Sequence, residues 1–168
     1  MRFTVMPGRF PHLEWLLDRL RGASASLAPA VGVDALADRI LSLIPDGLKT
    51  GIVQPDFIKA NIVVTPTGDL VIVDNEFLSI GVGFEFDVLN TSRAVSAGDE
   101  TRQLRYMAAY EAAGDCGSLV EHAEFWEICY LTKLTGKRLS IGDDEMGMVC
   151  LELLTTRVEA CARARGIR

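Results

Sequence analysis

Between residues 51 and 73 the hydrophobic period of the chain changes, and that change constrains the fold more than any other feature of the sequence. Gly51-Ile52-Val53, Asn61-Ile62-Val63-Val64 and Leu70-Val71-Ile72-Val73 are short, β-branched runs of the kind that form strands. The last two are separated by Thr65-Pro66-Thr67-Gly68-Asp69, whose turn chemistry predicts a hairpin. On either side, apolar residues return at helical spacing. Leu13, Leu16, Leu17 and Leu20 follow Pro11 and stop at Gly22; Leu36, Ile40, Leu43 and Ile44 repeat the pattern up to Pro45-Asp46-Gly47. The first ten residues show no period and read as an irregular arm turning at Pro7-Gly8.

Beyond Gly83 the helical period resumes over residues 84–95 and again over 100–113, closing at Gly114. Two long amphipathic segments end the chain. Leu119, Phe125, Trp126, Ile128, Cys129 and Leu131 predict the buried side of the first; Met146, Val149, Cys150, Leu153, Leu154, Val158 and Cys161 predict that of the second. Helices, a small cluster of strands, then helices: the fold class is α+β, mostly helical, and 168 residues suit one domain over 1–168.

A formal net charge of −6 argues against a nucleic-acid partner, which would call for a basic face. Charged residues interrupt every apolar run short of roughly 18 residues, so no membrane span or signal segment is expected, and the cytoplasm is the expected compartment. Cys116, Cys129, Cys150 and Cys161 lack zinc-ligand spacing, and the last three fall within helical apolar patterns, where cysteine acts as a small hydrophobe. His12 and His122 stand apart from any nucleophile at a recognisable spacing and read as helix-surface residues. Asp143-Asp144-Glu145 reads as the start of the last helix, where carboxylates suit the dipole.

The chemistry lies among the strands. Gln54-Pro55-Asp56-Phe57-Ile58-Lys59-Ala60-Asn61 joins two apolar runs and sets an acid and an amide five residues apart; Asp74-Asn75-Glu76 follows the next run directly. Phosphoryl transfer needs a carboxylate beside the attacking hydroxyl and oxygen ligands for a magnesium ion at the phosphates. Magnesium is commonly held by one or two carboxylates together with waters and phosphates, so one Asp and one Asn suffice.

Asp56, Asn61 and a strand ending Ile72-Val73-Asp74-x-Glu76 together resemble the aminoglycoside phosphotransferase and choline-kinase-like family, whose loop reads His-Gly-Asp-Leu-His-Pro-Gly-Asn. Phe86-Asp87-Val88 and Ala109-Tyr110-Glu111-Ala112-Ala113-Gly114 are similar to later segments of that family. The resemblance implies the C-terminal lobe of a protein-kinase-like fold, with a small β-hairpin carrying the catalytic and metal-binding loop. It implies Asp56 as catalytic base, Asn61 and Asp74 as magnesium ligands, Glu76 as an acidic neighbour of the metal or loop, and Asp87 as a brace for the loop. The implied reaction is transfer of a phosphoryl group from ATP, or another nucleoside triphosphate, to the hydroxyl of a small molecule.

Two departures accompany the match. Gln54 stands where the family has a loop-bracing His, a role its amide can partly imitate, and Lys59 enters the loop, either to contact a phosphate or as a solvated side chain. Before Pro11 there is no Gly-rich loop and no strand lysine of the kind that grips ATP in the family. The N-terminal ATP-gripping lobe is therefore expected to be absent. It is supplied by a protein partner or by a homo-oligomer covering that face, or belongs to a longer enzyme, or the chain is a non-catalytic binding or scaffold module.

Overall fold

The computed structural model describes residues 4–5, 10–25, 32–54, 59–74, 78–114 and 117–167. In chain order its elements are β1 (Thr4–Val5), α1 (Pro11–Ser24), α2 (Val33–Leu41), β2 (Thr50–Val53), a 3₁₀ turn (Lys59–Asn61), β3 (Ile62–Val64), β4 (Leu70–Ile72), β5 (Ser79–Val82), α3 (Phe84–Ser96), α4 (Glu100–Ala113), α5 (Gly117–Glu121), α6 (Ala123–Ser140) and α7 (Asp144–Ala164). The fold is α+β and mostly helical. It divides into two compact units, one holding Met1–Pro11 and Leu48–Glu121, the other His12–Gly47 and His122–Arg168.

The helical unit is built on α6 and α7. Of the α7 residues expected inside, Cys150, Leu154, Val158 and Cys161 are buried, whereas Met146, Val149 and Leu153 are exposed. The inward stripe runs instead through Gly147, Cys150, Leu151, Leu154, Val158 and Cys161, a shift of about one position around the helix. Gly147 permits it: a β-carbon there would collide with the Leu139 side chain of α6, so the absence of a side chain sets how closely the helix ends approach. Leu13, Leu16, Leu17 and Leu20 of α1, Ile40 of α2, and Phe125 and Trp126 of α6, their rings 5.1 Å apart, complete the core. His12 is fully buried rather than on a helix surface, because it shares the inward side of α1 with Leu16. The end of the chain is tied down by Arg165, which donates to the Leu43 carbonyl, and by Arg39, which donates to that of Ile167.

The other unit carries both sheets. β5 lies between β1 and β2, parallel to β1 and antiparallel to β2, with Ile52 opposite Ile80 and Val53 opposite Ser79. Neither β1 nor β5 was expected from the sequence, because two residues are too few to show a period and Ser79-Ile80-Gly81-Val82 lacks a run of β-branched residues. β3 and β4 form the expected antiparallel hairpin with Ile62 opposite Ile72. Its turn is locked by Thr65 and Asp69: the Thr65 N–H donates to the Asp69 carbonyl at 2.8 Å, and the Asp69 N–H donates to the Thr65 hydroxyl at 3.0 Å.

Gly83 joins β5 to α3 at φ +96, and a β-carbon there would run into the Phe10 ring, so both conformation and space call for glycine. α4 is capped by Asp99, whose carboxylate accepts from the Arg102 N–H at 3.0 Å. The amphipathic segment after Gly114 breaks at His122, giving a short α5 before α6. Among the described residues no helix is long and apolar enough to cross a membrane.

Candidate functional site

The hairpin brings Asn61 and Asp74 together. Asn61 ends the 3₁₀ turn just before β3, and its carbonyl accepts from the Val73 N–H at 2.8 Å, which continues the β3–β4 register by one pair. Asp74 follows Val73, so its main chain lies one residue beyond the partner of Asn61. Asn61 is buried and Asp74 exposed.

Asp74 has φ 60, in the left-handed region that L-residues other than Asn and Asp seldom adopt. A strained backbone persists where its surroundings determine it, and here the surroundings are visible. The Gln54 side-chain amide donates to the Asp74 carbonyl at 3.1 Å, and the Gln54 backbone N–H donates to Asp87 Oδ2 at 2.7 Å. Gln54 and Asp87 are both buried, at 7% and 8% exposure, so the bond between them is formed away from competing water, while the bond to the exposed Asp74 is half-buried. Asp87 lies in the first turn of α3, where the helix dipole favours a carboxylate. A chain of bonds thus runs from the start of α3, through the end of β2, to the main chain of Asp74.

Strand alternation gives the hairpin two sides. Asn61, Val63, Val71 and Val73 share one; Ile62, Val64, Leu70 and Ile72 share the other. Val63, Val71 and Val73 keep 46%, 44% and 39% of their surface exposed, leaving an apolar strip in water beside Asn61 and Asp74. Exposed contiguous apolar surface marks an interaction site.

The donor set fits magnesium in kind. One carboxylate and one amide oxygen, with room for water and phosphate, suit a hard cation that retains part of its hydration shell. Among the described residues no group of three or more His, Cys, Asp or Glu is placed to hold a metal ion. Asp56 and Glu76 lie outside the described residues, and of Lys59 only the backbone is described, at the start of the 3₁₀ turn.

Sequence reasoning missed two features here. One is the pair Glu85 and Ser118, buried in α3 and half-buried in α5, whose hydroxyl donates to the Glu85 carboxylate. The other is a cavity behind the hairpin walled in part by Phe84, Tyr106 and Tyr110. A buried glutamate in a helix's first turn looks in sequence like a dipole partner. Nothing in a periodicity distinguishes a tyrosine that lines a cavity from one that packs.

The sequence matches no protein-family profile and no curated protein. The fold, however, is similar to that of solved structures. Choline kinase LicA from Streptococcus pneumoniae superposes with a TM-score of 0.60 at 15% identity, over 91% of this chain and 56% of that one. LicA in complex with AMP gives 0.61 at 15% identity, over 92% and 55%. The chain therefore has a fold like that of the C-terminal part of the choline kinase structures, and spans just over half the length of the structures it matches.

Proposed function

We propose that this chain forms the metal-binding and phosphate-transferring part of a small-molecule O-phosphotransferase. The observation that supports this reading is the main-chain bond between Asn61 and Val73, which brings Asp74 one residue beyond Asn61's partner, with the Asp74 backbone in a left-handed conformation and its carbonyl bonded to Gln54. An exposed apolar strip of Val63, Val71 and Val73 alongside suits the flat face of a nucleotide base. Asn61 and Asp74 would hold a magnesium ion, which when bound neutralises charge on the phosphate oxygens.

In the reaction, the acceptor hydroxyl oxygen forms a bond to the γ-phosphorus while the bond from that phosphorus to the β–γ bridging oxygen breaks. ADP leaves, and the hydroxyl proton passes to the carboxylate of Asp56. Lys59 belongs in this reading as a contact to the phosphates. The acceptor is a small molecule carrying a hydroxyl group; the acidic residues Glu111, Glu121, Glu124, Glu127, Asp143 and Asp144 would suit a cationic one.

Titration with ATP and Mg2+, followed by thermal unfolding and by nucleotide hydrolysis, tests the proposal. Stabilisation that needs both, and that Asp74→Asn removes, supports it. No response in either measurement, with or without a candidate lysine-bearing lobe added as a separate chain, would sink it.

A second reading is a non-catalytic binding module, and the exposure of the hairpin favours it: Val64 is 64% exposed and Leu70 70%, as expected of a surface made for a protein partner. Hydrolysis that depends on Asp56 would exclude it.

A further inference from the structure

Ile72, the last residue of β4, belongs to a different surface from the residues on either side of it in sequence. Val71 and Val73 lie on the strip proposed for the nucleotide; Ile72, between them, points to the opposite side, where it lines a cavity of about 430 Å³. Ile52, Phe84 and Val88 continue the wall, and Tyr106 and Tyr110 add to it from α4, their rings stacked at 6.4 Å and 29°. Gln54 and Asp87 supply its polar part. Pockets that take small molecules run from roughly 300 to 1,000 Å³, largely apolar with a few placed polar groups.

We propose that this cavity is a second ligand site, separate from the nucleotide strip, that takes a compact, uncharged, largely aromatic molecule and passes its occupancy to Asp74 through Gln54. The site itself stands on the geometry of the cavity; its bearing on phosphotransfer rests on the function proposed for Asn61 and Asp74. Selectivity follows from the wall. Gln54 directs its backbone N–H to Asp87 and an amide hydrogen to the Asp74 carbonyl, and most of the remaining wall is apolar and aromatic, so recognition rests chiefly on that surface. The Asp87 carboxylate, in a setting of low dielectric, excludes an anion, while the Gln54 N–H and the start of α3 offset its pull on a cation.

The link to Asp74 is a single residue. Asp74 does not line the cavity, yet its carbonyl is held by the amide of a residue that does. A ligand packed against Gln54 either reinforces that bond or draws it away, and in both cases the left-handed turn at Asp74 responds. By linkage, whatever the ligand does to a metal–nucleotide complex at Asp74, that complex does to the ligand.

N-phenyl-1-naphthylamine, an uncharged fluorophore that brightens in apolar surroundings, is a suitable probe for the whole chain. The expected result is a saturable rise with one site, accompanied by a shift of the Asp74 amide resonance. Ile52→Lys and Tyr110→Ala weaken binding at least about tenfold; Ile52 is 64% exposed, so its replacement leaves the core intact. Val63→Lys, on the opposite side of the hairpin, leaves probe binding unchanged. At probe concentrations raised to restore saturation, Gln54→Leu abolishes the Asp74 shift. A rise that never saturates, one that survives both rim substitutions, one lost on Val63→Lys, or an Asp74 resonance that stays still at saturation overturns the proposal. Every reading is taken without nucleotide. A chain that ignores ATP and Mg2+ yet gives this pattern keeps the cavity site and loses the phosphotransferase reading.

Discussion

The helical unit and the strand-bearing unit bury different chemistry. The first hides Leu13, Leu16, Leu17, Leu20, Trp126 and Leu154 almost completely, and two of its buried hydroxyls, on Thr132 and Thr135, bond back to carbonyls of their own helix. The second buries Gln54, Asn61, Glu85, Asp87, Asn90, Thr91 and Ser92 and leaves the apolar strands β3 and β4 in water. One unit therefore draws its stability from packing. The other uses buried polar groups to fix the position of a few atoms, as the bonds of Gln54 to Asp87 and to the Asp74 carbonyl show.

If that contrast is right, truncating a core side chain of the helical unit has the largest effect on stability. Leu154→Ala should cost about 2–5 kcal/mol in denaturant unfolding, the range for a fully buried leucine. A loss well under 1 kcal/mol would mean that the unit is loosely packed. In the other unit Asp87→Ala should cost about 1–3 kcal/mol, because it strands the buried Gln54 N–H, and it should lower magnesium-dependent nucleotide stabilisation as well. A change in stability with an unaltered nucleotide response would separate Asp87 from the site.

The backbone at Asp74 offers a finer test. Asp74→Val should cost about 1–2 kcal/mol through its left-handed φ, whereas Asp74→Asn should be close to neutral in stability while abolishing the metal response. Equal stability losses for the two would show that the turn does not govern this position.

A pH dependence belongs to the helical unit. Burial pushes the Cys129 thiol above its ordinary value of 9.0, opposed only weakly by a backbone hydrogen bond. The unfolded chain then releases this proton first as pH rises. Below pH 9 the residue leaves stability unaffected; above it, stability should fall by up to ~1.4 kcal/mol per pH unit, and Cys129→Ala should flatten that slope. Smallest of all, Leu70→Ser should change stability by less than about 0.5 kcal/mol, since the side chain is 70% exposed. A larger loss would place a partner on the hairpin.

The same contrast explains what could be read from the sequence. Residues 100–113 were legible from their helical period and from Gly114, which closes the helix, while the Asp99 cap at the other end is seen only in the structure. The β3–β4 hairpin was legible from its turn. The side of α7 was not, since Met146, Val149 and Leu153 satisfy a helical period as well as the buried set does, and only the contact of Gly147 with Leu139 decides between the two. At the candidate site the spacing of Asn61 and Asp74 pointed to one locality. The hydrogen bonds of Gln54 join residues 20 and 33 positions apart, and no local pattern encodes those.

The left-handed turn at Asp74 has a consequence for how such a chain can change over generations. Asn and Gly, both one nucleotide away from an aspartate codon, tolerate that backbone and lack the charge. A lineage can thus silence the chemistry in one step while every surrounding bond stays in place. Retired copies would keep their shape and their surfaces, free to be selected for binding alone.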